Sequence, residues 1–460
     1  MRMKMSCKQS LLSPAIACVL VAMYGAPAHA GDIDPSGLVQ AETHQQFIVH
    51  VRAGSQLSGD DSAMQAALDH AGSRLRIVTG GARLLRRMAV GPAVVRAGHP
   101  LDRAEAGAWM AAVASDPDVT HVQLDRIMKV ALDPDDPRLR EQWGFSTSTA
   151  SLNVRPAWDK ATGAGQVVAV IDTGRTRHPE LDANTLPGFD FISDGGMAGD
   201  GDGRDDNPDD AGDSQWGQPS SWHGTHVAGT VAAATNNGQG VAGTAFDAKL
   251  VHVRVLGKGG GYSSDIADGM VWAAGGDVRG VPHNRNPAKV LNLSLSGQGP
   301  CDRVSQAAVD SAIGHGATVV VAAGNNNADV SRFTPANCRG VVAVAATTSR
   351  GARAGFSNHG KGITLSAPGD NILSTLNSGR TTPGAPTYAA YNGTSMAAPH
   401  VAGVVALMQS AAGGKLSPEQ VVRILTATAR PLPGSCREGC GAGIANADGA
   451  VGKAMEAGIR

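Results

Sequence analysis

The chain has 460 residues, a formal net charge of -1 and only 17% charged residues. That balance excludes a basic nucleic-acid face, and a hydrophobic fraction of 42% excludes a disordered chain. The length allows one large core plus accessory segments, and 60 glycines with 4% aromatics suit closely packed elements and many turns.

The first thirty residues read as an export signal. MRMKMSCK supplies positive charge, LLSPAIACVLVAMYG an apolar stretch, and Ala28–His29–Ala30 an A-x-A cleavage site. The apolar stretch is too short and interrupted to span a membrane, and Cys18 is a poor match to a lipidation site. The expected product is therefore secreted, without a membrane anchor. Loss of this segment removes Cys7 and Cys18 and leaves Cys301, Cys338, Cys436 and Cys440. An even number in an oxidising compartment suggests two disulfides. Three pairings exist; Cys436 with Cys440 closes a small local loop and leaves Cys301 for Cys338. No CxxC pair or histidine cluster accompanies them, which argues against zinc.

Residues 31–130 form a second segment. QFIVHV reads as a strand, and the stretch from Arg103 to Val130 as a helix, a turn at Asp116–Pro117 and a strand. Together they predict a small α+β unit. ALDPDDPRLREQW, from Ala131, is a linker or processing site.

From about residue 150 the pattern changes to strands alternating with helices. Unbroken apolar runs at 165–172, 248–256, 288–295, 317–325 and 340–347 predict strands buried on both faces. Helical stretches at 223–234, 263–275 and 302–316 lie between them. The expectation is an α/β fold, a parallel sheet with helices on both faces, whose working groups gather beyond the C-terminal strand ends.

Three polar residues occupy such places. Asp172 ends the first buried strand, His223 opens a helix in SSWHGTHVAGT, and Ser395 opens a small-residue helix in GTSMAAPHVAG. They can act as acid, base and nucleophile, because a histidine can take the serine proton while a carboxylate fixes the histidine tautomer. A helix N-terminus also turns unpaired N–H groups toward a developing oxyanion, and Asn325, after the strand VVVAAGN, can supply a second donor. A helix cap would explain Ser395 alone, and a turn would explain Asp172 or Asn325 alone. His223 and His226 do not form the zinc-protease pattern, which needs histidines four apart around a glutamate; His226 is expected to pack inside.

VIDTG, HGTHVAGT, AAGN and GTSMAAPHVAG, in that order, resemble the subtilisin-like serine proteases over about residues 140–450. AAGNNNADV with TPAN is similar to the proteinase K branch and its secreted bacterial relatives. The resemblance implies a serine endopeptidase with Asp172, His223 and Ser395 as triad and Asn325 in the oxyanion hole. It implies further that 31–130 is an inhibitory propeptide that assists folding, ahead of a peptidase domain at 131–460. By the same resemblance Ser294, Leu295, Ser296 and Gly297 pair with an extended substrate, and Gly259, Gly260 and Gly261 form the opposite wall. Gly257–Lys258–Gly259 departs from relatives that carry a cysteine there. Arg332 is expected near the pocket for the residue before the scissile bond.

SDGGMAGDGDGRDDNPDDAGD holds eight aspartates between 193 and 213 and one arginine. Asp200, Asp202, Asp205 and Asp206 have oxygen-ligand spacing suited to structural calcium, although no glutamate closes an EF-hand. TNNGQGVAG resembles a second family calcium loop, with Asn237 and the Gln239 and Val241 carbonyls as ligands. The expected partners are protein or peptide substrates and the chain's own propeptide. A monomer is expected, with no nucleic acid, no membrane and no appended binding domain. An inactive peptide-binding relative would have lost one of the four catalytic parts, and an esterase would carry G-x-S-x-G.

Overall fold

The computed structural model describes residues 31–35, 38, 43–74, 81–126 and 133–457, so the signal segment and the cleavage region near residue 130 lie outside the described residues. The chain divides into two compact units, with the boundary between Ile127 and Met128.

In the N-terminal unit, strands β1 (Asp32–Asp34), β2 (His44–Val51), β3 (Arg83–Arg87), β4 (Ala93–Leu101) and β5 (Val119–Leu124) form one sheet in the order β1-β5-β2-β4-β3. Helices α1 (Gln56–Gly59), α2 (Asp61–Arg74) and α3 (Arg103–Ala114) complete it. Phe47 and Val49 of β2 close a core with Met64, Leu68, Trp109 and Met110. The start of α3 is fixed by a capping box, in which Asp102 accepts from the Glu105 N–H and Glu105 accepts from the Asp102 N–H. The sequence reading found β2, α3 and β5. It missed α2, β3 and β4, where RLLRR shows little apolar alternation.

The C-terminal unit is built on a seven-stranded parallel sheet. Its strands are β6 (Val167–Asp172), β7 (Thr185–Asp190), β8 (Lys249–Arg254), β9 (Val290–Leu293), β11 (Thr318–Ala322), β13 (Val342–Thr347) and β14 (Leu365–Pro368), in the order β14-β13-β11-β9-β6-β8-β7. Short strands β10 (Gly297–Gln298) and β12 (Phe333–Thr334) pair apart from it, as do β15 (Ile372–Asn377) and β16 (Pro386–Tyr391). The helices are α4 (Arg155–Trp158), α5 (Gly195–Ala198), α6 (His223–Ala232), α7 (Ser263–Ala273), α8 (Arg303–Gly314), α9 (Thr394–Ala411), α10 (Pro418–Thr428) and α11 (Ala447–Ala457).

Strand periodicity explains why both faces of the central strands are largely apolar. Val168, Val170, Val320, Val342 and Val344 face one core with α6 and α9, while Ala169, Ile171, Val319, Val321 and Ala343 face another with α7 and α8. Helix α9 is almost wholly buried, which its Ala, Val and Gly content permits: a Cβ on Gly403 would lie 2.4 Å from Thr244 Cβ. Both pairs, Cys301–Cys338 and Cys436–Cys440, are disulfide-bonded. Among the described residues no helix is long and apolar enough to cross a membrane.

Candidate active site

Strands β9, β6 and β11 are neighbours or next neighbours in the sheet, and Ser294, Asp172 and Asn325 stand at or just past their C-terminal ends. Asp172 is fully buried, with Oδ1 accepting from the Thr173 N–H at 2.8 Å. Its two carboxylate oxygens lie 2.8 and 3.0 Å from His223 Nδ1. A neutral His223 therefore carries its proton on Nδ1 and offers Nε2 as the base. Burial alone would lower the His223 pKa, but the Asp172 carboxylate, with Asp213 and Asp210 behind it, overrides this and raises it above the usual 6.5.

The residues around this pair were not picked out from the sequence. Thr173 Oγ1 donates to Asp210 at 2.7 Å and accepts from the Gly224 N–H at 3.0 Å, tying the strand end to the first turn of α6. Burial pushes the Asp210 carboxyl up to about 7. Trp222, immediately before His223, takes a left-handed backbone (φ 48°, ψ 35°), and its buried ring donates from Nε1 to the Gly379 carbonyl at 2.7 Å. That conformation is unfavourable for a bulky residue and is held by the packing of the ring. His226 behaves as expected from the sequence. It is buried, stacks on Tyr391 at 4.6 Å, and burial pushes its pKa down to about 3.

Ser395 is the second residue of α9. Its Oγ donates to the Ser294 carbonyl at 3.0 Å, while Ser294 Oγ donates to the Ser395 carbonyl at 2.8 Å. The second bond follows from the sequence: Pro399 has no N–H, so the Ser395 carbonyl lacks its helical partner four residues on and Ser294 takes that place. In this conformation Ser395 makes no hydrogen bond to His223. Asn325 Oδ1 accepts from Thr394 N–H at 2.8 Å and Thr394 Oγ at 2.9 Å, which leaves Nδ2 as donor. Asn325 Nδ2 and the Ser395 amide nitrogen both lie 3.5 Å from the point that a Cβ on Gly393 would occupy, so the two donors stand close to the same spot.

His223 and Ser294 line one cleft of about 620 Å³, and Leu295, Ser296, Gly297, Gly259, Gly260 and Gly261 line it too. Its apolar part comes from Leu256, Ile266 and Met270. Arg332 does not line this cleft: it is exposed, and its carbonyl accepts from the Gly299 N–H at 2.7 Å.

The aspartate-rich loop spreads its charges over several partners. Among the described residues Asp200, Asp202, Asp205 and Asp206 do not gather three carboxylates at one point. Asp200 is drawn to the buried Arg254 guanidinium, which also bonds Asp190 and the Ala198 carbonyl. Asp205 exchanges backbone hydrogen bonds with Asp190 at 2.9 and 3.2 Å, and Asp202 and Asp206 are exposed. Arg204 meets Asp265 and Asp268 at 2.7 and 2.8 Å, and Arg175 meets Asp182 and Asp209 at 3.2 and 3.3 Å. Arg254 and Arg175 thus each pair with one aspartate of the loop, Asp200 and Asp209, while Arg204 of the loop pairs outside it. Among the described residues no three His, Cys, Asp or Glu side chains cluster as ligands.

The loop at 235–243 is different. It folds over Glu180, which is fully buried, accepts from Val241 N–H at 3.1 Å, Tyr388 Oη at 2.9 Å and Asn237 Nδ2 at 3.0 Å, and has its pKa raised by burial. Asp136, also buried with a raised pKa, accepts from Asn236 N–H at 2.8 Å. Among the described residues neither carboxylate has a basic nitrogen within 4.0 Å. Buried carboxylates without a counter-charge are costly, so the loop fits a cation.

Comparison with sequence profiles of known families matches residues 163–449 to the subtilase family. The chain belongs to the subtilase family. An extracellular protease of Xanthomonas campestris pv. campestris is 56% identical over 451 residues, covering 95% of this chain and 77% of the relative. An extracellular basic protease of Dichelobacter nodosus is 44% identical over 429 residues, covering 90% of this chain and 71% of the relative. A solved protease structure from Pseudoalteromonas arctica is 50% identical and superposes with a TM-score of 0.69, covering 70% of this chain and 99% of that one. The protein is accordingly a subtilisin-like serine protease, with the parallel sheet and flanking helices of that fold, acting on peptide substrates. Subtilases commonly bind structural calcium.

Proposed function

We propose that this subtilase is a secreted endopeptidase made as a self-processing precursor, with Asp172, His223, Ser395 and Asn325 as its catalytic groups. The observation that carries the reading is the bidentate contact of the buried Asp172 carboxylate with His223 Nδ1, at 2.8 and 3.0 Å, beside a cleft lined by Ser294, whose carbonyl accepts from Ser395 Oγ. His223 Nε2 takes the Ser395 proton as Oγ attacks the scissile carbonyl carbon. The oxyanion accepts from Ser395 N–H and Asn325 Nδ2, and Asp172 stabilises the imidazolium. His223 then protonates the departing amine, and water, activated by the same nitrogen, hydrolyses the acyl-enzyme.

An extended substrate is held by main-chain pairing to Ser294–Gly297 on one side and Gly259–Gly261 on the other. Residues 31–130 act as an intramolecular inhibitor and folding aid, removed by cleavage near residue 130, after export directed by residues 1–30. The enzyme works as a monomer. Calcium, where bound, is held at the 235–243 loop by Asn237 and the Gln239 and Val241 carbonyls, with Glu180 supplying charge. It contributes stability and no chemical step.

Casein hydrolysis and N-terminal sequencing of the secreted product test this reading. Ser395→Ala should abolish hydrolysis and leave the chain uncut near residue 130. Parent-rate digestion by that variant would refute the nucleophile assignment.

A further inference from the structure

Of the side chains that line the cleft, only His223 and Asp213 can carry a charge; the others are glycine, serine, threonine, proline and aliphatic residues. Asp213 is half-buried, and its two oxygens accept from Ser221 N–H and Ser221 Oγ, each at 2.6 Å. These bonds fix the carboxylate on the wall that carries His223, two residues past Ser221. Among the described residues no lysine, arginine or histidine nitrogen lies within 4.0 Å of it. Asp213 is thus a fixed anion facing a substrate cleft with no protein counter-charge. A carboxylate oxygen that accepts one hydrogen bond retains capacity for another.

Successive side chains of an extended peptide point in opposite directions. With the attacked carbonyl at Ser395 and the backbone paired to Ser294–Gly297, the residue just upstream of the attacked one stands beside His223. We infer that Asp213 selects lysine or arginine at that upstream position, pairing with its cationic end while the aliphatic stem lies along Leu256. Long basic side chains suit this division between an apolar wall and a terminal anion. The inference rests on the endopeptidase reading above and adds a substrate class to it.

The test uses the purified secreted protein and quenched peptides that differ only in carrying Lys, Arg, Ala or Glu at that position. The parent should cut the Lys and Arg peptides with kcat/KM about tenfold or more above Ala, and Glu below Ala. Raising salt to about 1 M should shrink the Lys-to-Ala ratio and leave the Ala peptide nearly unaffected, because a half-exposed pair is screened. Asp213→Asn, which keeps the shape and one acceptor for Ser221, should bring the ratio near one. Ser221→Ala, which keeps the carboxylate, should preserve a ratio above one. A parent ratio near one would overturn the inference while leaving the protease reading intact, and so would a ratio insensitive to salt or to Asp213→Asn. Failure to cut any of the four peptides would count against the protease reading itself. The parent's salt response decides the matter even if the Asp213 variant does not fold.

Discussion

At the residue scale the chemistry depends on how a few polar groups are held. Asn325 is oriented by two donors from Thr394, so its Nδ2 is committed before substrate arrives. Asn325→Ala should lower kcat about a hundred- to a thousandfold with little change in KM, the cost known for the oxyanion asparagine of subtilisin itself. Steady-state kinetics on one peptide check this, and an unchanged kcat would remove Asn325 from the oxyanion site. The raised His223 pKa sets the pH profile. Catalysis needs the neutral imidazole, so kcat/KM should rise with pH through a midpoint above 6.5. Asp213→Asn removes one of the charges that raise it and should move that midpoint to lower pH; a shift to higher pH would contradict the electrostatic account. The four side chains proposed as catalytic stand out in the sequence because each lies at an element end inside a long motif. Thr173, Asp210, Asp213 and Trp222 do not. Thr173 and Trp222 sit in the motifs but act through partners that sequence alone does not show, Asp210 and the Gly379 carbonyl.

At the scale of elements, the five sheet strands read from the sequence are present, each shorter than its apolar run: the run at 317–325 forms β11 only over Thr318–Ala322. Two further strands escaped notice. TLPGFD in β7 contains a proline and a glycine, and LSAP in β14 is four residues long, so neither shows an unbroken apolar run. Helix α9 was legible by composition, and its packing is sensitive to size. Gly403→Ala would put a methyl carbon 2.4 Å from Thr244 Cβ. Overpacking of this kind costs about 1–3 kcal/mol, so the variant should melt lower than the parent in a thermal scan. An equal melting temperature would mean that the Thr244 loop yields freely. The Cys301–Cys338 disulfide ties the segment before α8 to the loop before β13 across 37 residues. Removing it should destabilise by roughly 3–4 kcal/mol on the loop-entropy account, measured by denaturant unfolding of the double alanine variant.

At the scale of the whole molecule, the sequence anticipated two bodies, and the structure divides between Ile127 and Met128. Charge pairing is the part of the structure least visible in the sequence. The pairing of Asp200 with Arg254, on a strand some fifty positions away, cannot be read from composition. Glu180 was overlooked for a similar reason, since its burial under the 235–243 loop is a tertiary fact. Calcium bound there should raise the melting temperature by mass action, about 2.7 kcal/mol at a hundredfold excess over Kd. Chelation should reverse the gain, and Glu180→Gln should shrink it; melting unaffected by calcium in the metal-free protein would refute the assignment.

The central claim is that one hydroxyl, activated by His223 and Asp172, forms the acyl-enzyme. A phosphonofluoridate that labels activated serines, followed by peptide mapping, tests it most directly. One adduct per mature chain, on Ser395 and absent from the His223→Ala variant, is the predicted result. Labelling of another residue, or full hydrolytic activity after Ser395 is blocked, would contradict it.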